Sequence, residues 1–534
     1  MRSFRICLLF LVAFALVRPA VAIPAFSRMY NTSCSTCHID FPKLNDFGKA
    51  FKDAGFKFPK NDETFLKIPP VLLGAPAQIE MWPHTIWPGS IPGIPPIGLR
   101  MNNFFQVLGK NRNNFQFVPG AGGLGTPPAN PELLFPPKTD FETGLFSIFT
   151  AGNFGSDIAF WVDDDISVAG ANANGGLGDG YLKFVNVSRF IHLPKDSLNL
   201  RVGQFELDLP FSQARSWNIS PWDIYTQANI GAPDQFVNNA FTFAGAAKGA
   251  EISGGHHYGG YWYSLAVVDQ NTTGTSPISD LVPSATGSNN GGLGFMSDSN
   301  FKDIYGHLEY RFNLEKDKES RHAIQAAGAT GPRDHTYLSL GVFDLYGRSA
   351  TRVIGQAGGS FALLTAHEPF YRAGVDFSFN YRTFNLFGLW MHGRDHNLFP
   401  VDSTGAPASD NNAVGFIHGT PATFSGGFLE ADYLPLPWIM LIMRYDAVNS
   451  RADFQNGQGL LLLDQPFFAP AYYTRNRYTP GVQFLIHANI KASFEYQIRP
   501  QQEIIAGTNP LTGTTVTIPP FRVNTATVGL EFVY

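Results

Sequence analysis

Thiols, charge and long apolar runs are scarce in this 534-residue chain, which has three cysteines and 15% charged residues. Each scarcity excludes something. A helix that crosses hydrocarbon needs about 20 mainly apolar residues, and no stretch beyond residue 22 approaches that length, so ordinary transmembrane helices are out. Charged residues fall well below the roughly 25% of ordinary soluble domains. A net charge of −5 leaves no basic footprint for nucleic acid. With only Cys7, Cys34 and Cys37 there is no disulfide framework. No G-x-S-x-G, P-loop or H-E-x-x-H is found, so hydrolytic and nucleotide chemistry have no support.

Glycine and aromatics are abundant instead, with 54 Gly, 48 Phe and 19 Tyr, and mean hydropathy is near zero. The first residues read as a signal peptide over 1–22. Arg2 and Arg5 precede the apolar run Ile6 to Val17, and Ala20-Val21-Ala22 forms an A-x-A cleavage site. The mature chain is expected to begin at Ile23, and Cys7 is lost with the signal. An exported chain rich in aromatics and glycine fits an all-β protein.

Cys34-Ser35-Thr36-Cys37-His38 carries the most specific chemistry. Two thiols three apart with a His after the second is the spacing of c-type haem attachment. Each thiol forms a thioether to a vinyl group, and the imidazole lies under the iron as proximal ligand. A zinc site would need two more ligands at matching spacing, and a thioredoxin pair would need a βαβ context. Neither is visible. Residues 23–92 are therefore expected to form a small α-helical monohaem domain with a Trp/Pro linker. Pro42 should open a helix with Leu44, Phe47, Phe51 and Ala54 on its apolar face, and Gly55 should close it. Lys43, Lys49, Lys52 and Lys57 make a basic face, read as solvated in preference to a docking patch. Trp82-Pro83, Trp87-Pro88, Pro92, Pro95 and Pro96 form the linker. For the distal side of the iron, Met81 and His84 are the candidates at suitable chain distance. Met29 is tethered too tightly, and Met101 lies farther along.

Residues 93–534 change to short alternating segments. Ile304, Gly306, Leu308, Tyr310 and Phe312, for example, interleave with Tyr305, His307, Glu309 and Arg311. About sixteen strands are expected, starting near 97, 141, 157, 181, 198, 248, 261, 304, 337, 371, 384, 423, 438, 478, 490 and 523. Alternation alone suits a soluble sheet as well as a lipid-facing wall. The connections favour the wall, because short turns (153–155, 257–259, 381–382, 434–436, 487–489) mostly alternate with long loops (111–140, 209–247, 270–302, 348–369, 394–421, 450–476, 499–522). The connection 314–335 breaks the rule. Val528 to Tyr534 ends the chain on an alternating strand with an aromatic residue, like the terminal signal of outer-membrane proteins. The expected fold is an all-β, antiparallel outer-membrane barrel of about 16 strands. Asp163-Asp164-Asp165, His256-His257 and Met391-His392 with His396 could hold a cation, but ordinary loop polarity accounts for each.

The haem motif, the Phe41-Pro42 to Phe51 segment, Trp87-Pro88-Gly89 with Ile91-Pro92-Gly93, and the strand plan together resemble the fused monohaem cytochrome c–porin family of the outer membrane. That family includes the outer-membrane cytochromes of iron-oxidising bacteria. The resemblance implies one covalent haem c in or at the barrel lumen. It also implies electron transfer between an extracellular donor such as Fe(II) and a periplasmic carrier of cytochrome or cupredoxin type, an Fe(II):cytochrome oxidoreductase activity. Outer-membrane lipid would be the remaining partner. Physics points the same way, since a hydrocarbon core of about 30 Å needs a bridging redox centre, and barrels of about 16–18 strands leave a lumen that can be plugged. The alternative is a porin whose tethered haem domain acts as plug or sensor. A soluble propeller would need repeats of about 40 residues, and none is seen.

Overall fold

The computed structural model describes residues 25–40, 42–58, 62, 66–67, 71–72, 76–83, 90–91, 97–109, 138–155, 157–166, 177–212, 216, 218–227, 246–269, 301–314, 336–357, 360–395, 398–405, 414–418, 422–450, 476–487, 489–499, 505–508, 515–518 and 524–534. Sixteen strands form one closed antiparallel barrel. They are β1 (Ile97–Leu108), β2 (Lys138–Phe154), β3 (Ile158–Ile166), β4 (Leu177–Phe184), β5 (Asn199–Glu206), β6 (Ala246–Gly255), β7 (Gly260–Asp269), β8 (Asp303–Asn313), β9 (Thr336–Ala357), β10 (Ser360–Tyr381), β11 (Phe384–Asp395), β12 (Ala422–Leu436), β13 (Ile439–Ser450), β14 (Asn476–His487), β15 (Ile490–Gln497) and β16 (Thr525–Val533). Each pairs with its neighbour in sequence, and β16 closes on β1 from Thr525↔Leu108 to Val533↔Arg100. No strand edge is left open, as hydrocarbon requires.

The side chains decide which way the alternation faces. On β8, Ile304, Leu308, Tyr310 and Phe312 are exposed outward, whereas Tyr305, His307 and Arg311 are buried in the lumen. On β13, Leu441 and Met443 face out, while Arg444 and Asp446 face in and are almost wholly buried. A water-soluble barrel would do the reverse. Charges inside and a continuous apolar outer wall identify a transmembrane barrel of the outer-membrane type. Phe154, Phe312, Tyr381, Tyr433, Trp438 and Tyr534 are exposed near the short-turn end, a girdle suited to the lipid interface. No described helix is long and apolar enough to cross a membrane.

Three strand expectations need correction. Residues 348–369 are not a loop. β9 and β10 each run 22 residues and stay paired to Ala357↔Ser360, so β10 begins at Ser360 rather than near Tyr371. Leu434 to Leu436 are still in β12, and the turn comes after them. The connections 394–421 and 499–522 carry small hairpins of their own, Leu398–Val401 with Gly415–His418 and Ile505–Thr508 with Thr515–Ile518. The unusual connection 314–335, the signal segment 1–22 and His396 lie outside the described residues, apart from Leu314.

Residues 25–58 fill the short-turn end of the lumen as a plug. It contains α1 (Ala25–Tyr30), a 3-10 turn (Cys34–Thr36) and α2 (Asp46–Asp53). A further short helix, α3 (Pro76–Met81), follows. The plug has its own aromatic core. Tyr30 stacks on Phe58 with ring centres 4.3 Å apart, Phe26 on Phe56 at 5.4 Å, and Phe51 meets Phe26, Tyr30 and Phe58 edge-on. Phe56 carries this core onto Trp161 of the wall. The helix starts later than Pro42. Asn45 caps it, its Oδ1 accepting from Gly48 N at 2.8 Å, because an Asn side chain satisfies an orphan amide that proline cannot. Gly55 ends it at φ +74°, where a side chain would be strained and would also press on Val185.

A second element enters the lumen. The described residues 207–212, 216 and 218–227 of the connection between β5 and β6 fold inward and include α4 (Asp223–Gln227). Leu207, Leu209, Trp222, Ile224 and Tyr225 are buried against Phe387, Phe424 and Phe428 of the wall.

Candidate functional site

The Cys34–His38 turn sits at the barrel mouth on the short-turn side. Arg28 donates to Ile97 O at 2.6 Å and lies over the Tyr534 ring, and Ile39 packs on Leu434, Met440 and Ile442. Backbone bonds shape the motif. Cys37 N donates to Cys34 O at 3.1 Å, and Asn45 N donates to Cys37 O at 2.9 Å. The Asn45 amide also donates to Ser35 O and Thr36 O, so one residue caps α2 and holds the motif against it. Gly48 makes that approach possible, because a Cβ there would lie 2.1 Å from Cys37 O.

Cys34 and Cys37 are both free thiols. Burial raises both pKa values, for Cys37 up to about 12, so both stay protonated at neutral pH. Burial pulls His38 down to about 4 and keeps its imidazole neutral. Its Nδ1 lies 3.1 Å from Pro42 O. A carbonyl partner makes Nδ1 the protonated nitrogen and leaves the lone pair on Nε2, the arrangement typical of an imidazole metal ligand. Two free thiols, a neutral oriented imidazole and a close-packed helix fit what a covalently attached haem needs on its proximal side.

The candidates for the other side are not brought to the motif in the same way. Met81 is two-thirds exposed on α3. His84 and Trp87-Pro88-Gly89 lie outside the described residues. Met29 is buried in the plug's aromatic core, and Met101 belongs to β1.

The expected solvated basic face is turned onto the wall instead. Lys43 Nζ donates to Asn385 Oδ1 at 3.0 Å, sits 3.5 Å from Asp432 and lies over the Phe387 ring. Lys49 lies over Tyr337, and Lys57 donates to Gly155 O. The anionic, carbonyl-lined lumen offers these cations partners that a solvated face lacks. Asp46 adds the strongest seat, its two oxygens taking Arg311 Nη1 and Nη2 at 2.7 and 2.6 Å in a buried bidentate pair.

The inward loop is held by a different set of charges. Asn218 and Trp222 donate to Glu430, and Ile219 N and Ser220 N donate to Glu495. Arg444 donates to Ser220 O at 3.0 Å, and Arg477 pairs with Asp223 at 3.0 Å. Between plug and loop lies a cavity of about 230 Å³, lined by residues that include Lys43, Lys49, Asp53, Asp208, His257 and Asp376.

Among the described residues, no three His, Cys, Asp or Glu side chains come together at the candidate cation clusters in a group that could hold a metal ion. Asp163 Oδ1 accepts from Trp161 Nε1 and Asp179 N within the wall. Met391 points into the core, whereas His392 is exposed and bonded to Ser425. His256 stacks near Tyr258, but His257 turns inward to Asp53, so it is more than turn polarity. Sequence reasoning missed Asn45, Gly48, Arg311 and the inward loop. The one signal that pointed to any of them was the inward position of Arg311 on the alternating strand β8; nothing local marked Asn45, Gly48 or the loop.

No family model matches the sequence, and no curated protein matches it. Solved structures similar in overall shape include OmpT, an outer membrane protein of Vibrio cholerae (7% identity, 82% of this chain and 99% of that chain, TM-score 0.41). An anion-selective porin from Comamonas acidovorans gives 12% identity over 82% of this chain and 98% of that one, with TM-score 0.41. OmpF of Salmonella typhi in complex with daunomycin gives 9%, 82%, 98% and 0.43. The identification of this chain as an outer-membrane-type barrel rests on its own closed topology and inverted side-chain alternation.

Proposed function

We propose that the protein is an outer-membrane electron conduit, with one haem c held by Cys34 and Cys37 through thioethers and by His38 Nε2. The observation that carries this reading is the tie of His38 Nδ1 to Pro42 O beside two free thiols in the barrel mouth. Bound there, haem supplies a one-electron carrier. Asn45 and Gly48 fix the turn that presents the thiols. The aromatic core around Phe51 packs α2, to which Asn45 ties the motif. Met81 or His84 is the proposed ligand opposite His38. An extracellular donor such as Fe(II) and a periplasmic carrier of cytochrome or cupredoxin type would be the partners.

The test is a haemochrome spectrum and a denaturing gel stained for haem on the purified protein. Covalent haem in the wild type and loss of the low-spin spectrum in His38→Ala are expected; a haem-free wild type sinks the proposal. Stopped-flow mixing with Fe(II) then tests the donor.

The barrel itself favours a second reading, a porin-type channel with residues 25–58 as its plug. Bilayer conductance separates the two. Solute-scale conductance with the plug in place favours the channel, and a sealed barrel favours the conduit.

A further inference from the structure

One buried cluster takes no part in the proposed function. His257, in the turn between β6 and β7, has Nδ1 3.0 Å from Asp53 Oδ1 of the plug and Nε2 3.8 Å from Asp208 Oδ1 at the root of the inward loop. His307, inward on β8, has Nδ1 3.1 Å from Asp208 Oδ2 and Nε2 3.4 Å from Asp376 Oδ2 of β10. Carboxylate and imidazole thus alternate through five residues on five separate elements: plug helix, turn, inward loop and two wall strands.

The chemistry of imidazole makes this order informative. A neutral ring donates from one nitrogen and presents a lone pair at the other, whereas an imidazolium donates from both. Both nitrogens of each ring face carboxylate oxygens, so each ring meets both neighbours favourably only when it carries two protons. The surroundings fix Asp208 as the hub. Trp262 Nε1 donates to its Oδ2 at 2.7 Å, Tyr305 OH donates to its backbone carbonyl at 2.7 Å, and the indole of Trp262 lies against the His257 ring.

Other charges face the cluster from each neighbouring element. Lys52 and Lys183 act on Asp53, and Tyr258 stands beside it. Arg311, already paired with Asp46, donates to His257 O at 3.3 Å. Arg201 is paired with Glu251 on the adjacent wall. Glu309 accepts from Ser339 near Asp376, and Tyr225 lies on the loop side. Lys183 acts on both Asp53 and Asp208, but its Nζ donates to the backbone carbonyls of Lys52 and Asp53, at 3.5 and 3.3 Å.

We propose that these five residues form a proton-binding site that locks the plug to the inward loop, and that loss of a proton from His257 releases α2 from the loop. Such a lock would act whatever the thiols carry. Burial by itself would lower His257, but the Asp53 charge and the bond to Asp208 outweigh it and carry the ring up to about 9. Its folded value exceeds the unfolded one of about 6.5. The lock is therefore fully present below about pH 6.5 and is lost as pH rises through about 9.

The experiment is hydrogen exchange on the full-length protein in detergent, corrected for intrinsic rates, from about pH 7 to about pH 10. Protection of the peptide spanning residues 46–58 is expected to fall by about tenfold per pH unit near the midpoint, while wall strands stay protected. His257→Gln, which keeps polar groups but cannot become a cation, is expected to show low and pH-independent protection of that peptide. Equal profiles for the two proteins overturn the proposal, as does a flat wild-type profile. Nitrogen-15 spectra of the wild-type histidines decide between the outcomes even where the variant fails to insert. Titration of His257 near pH 9 supports the lock, and titration near the ordinary value of about 6.5 overturns it.

Discussion

The plug and the inward loop share one lumen but are held in it by opposite means. The plug brings seven aromatic and apolar side chains of its own, from Phe26 to Phe58, which meet the wall at Ala151, Ala159 and Trp161, and it is seated by charged pairs such as Asp46–Arg311. The loop's Leu209, Phe211, Trp222, Ile224 and Tyr225 form one cluster with wall side chains instead of a separate core. Trp222 and Ile224 are buried against wall residues, Glu430 accepts from the Asn218 and Trp222 side chains, and backbone groups of the loop are satisfied by Glu495, Arg444 and Arg477. A segment that carries its own packing can come and go as a unit. One that borrows its packing is part of the barrel.

Removing a wall charge from the loop should have the largest effect. Arg444 is 1% exposed, pairs with Asp446 at 2.9 Å and holds Ser220. Arg444→Ala is expected to destabilise the whole barrel by about 3–5 kcal/mol, because it leaves buried carboxylates uncompensated. Urea unfolding followed by tryptophan fluorescence reads this, and an unchanged midpoint would break the comparison. Phe51→Ala removes the centre of the plug core and costs about 3–5 kcal/mol there. That loss is expected as faster exchange across residues 46–58 with the barrel midpoint unmoved. A joint fall would mean the plug is not an independent unit. Asn45→Ala is the smallest change. It removes the cap of α2 and two bonds to the motif backbone, for a loss of about 0.5–2 kcal/mol. It should loosen residues 34–37 more than residues 56–58, again by hydrogen exchange.

What the sequence makes legible follows from periodicity. Within hydrocarbon every outward position must be apolar, so Ile304, Leu308 and Phe312 announce their strand, and all sixteen barrel strands are found, most of them close to the expected starts. Beyond the lipid that demand ends. The outer parts of β9 and β10, from Arg348 onward, lack a regular apolar–polar alternation, and their sequence reads as a loop although their backbones stay paired. The plug's helix was legible from Phe47 and Phe51. Its seat was not, because Asp46 meets Arg311 across 265 positions and no local pattern marks such a pair. The basic face shows the same limit, since Lys49 and Lys52 on α2 and Lys43 and Lys57 beside it look alike whether water or the wall awaits them.

The seat of the plug also sets an order of events. Its partners are spread from Ile97 on β1 through Gly155, His257, Arg311 and Asp432 to Tyr534, beside β16. The plug therefore has no complete resting place until β16 has closed on β1. Until then its thiols stand outside any wall, and only later does the barrel draw them into the burial that raises their pKa. Chemistry at Cys34 and Cys37 has its most open window during biogenesis, before the finished barrel shuts around them.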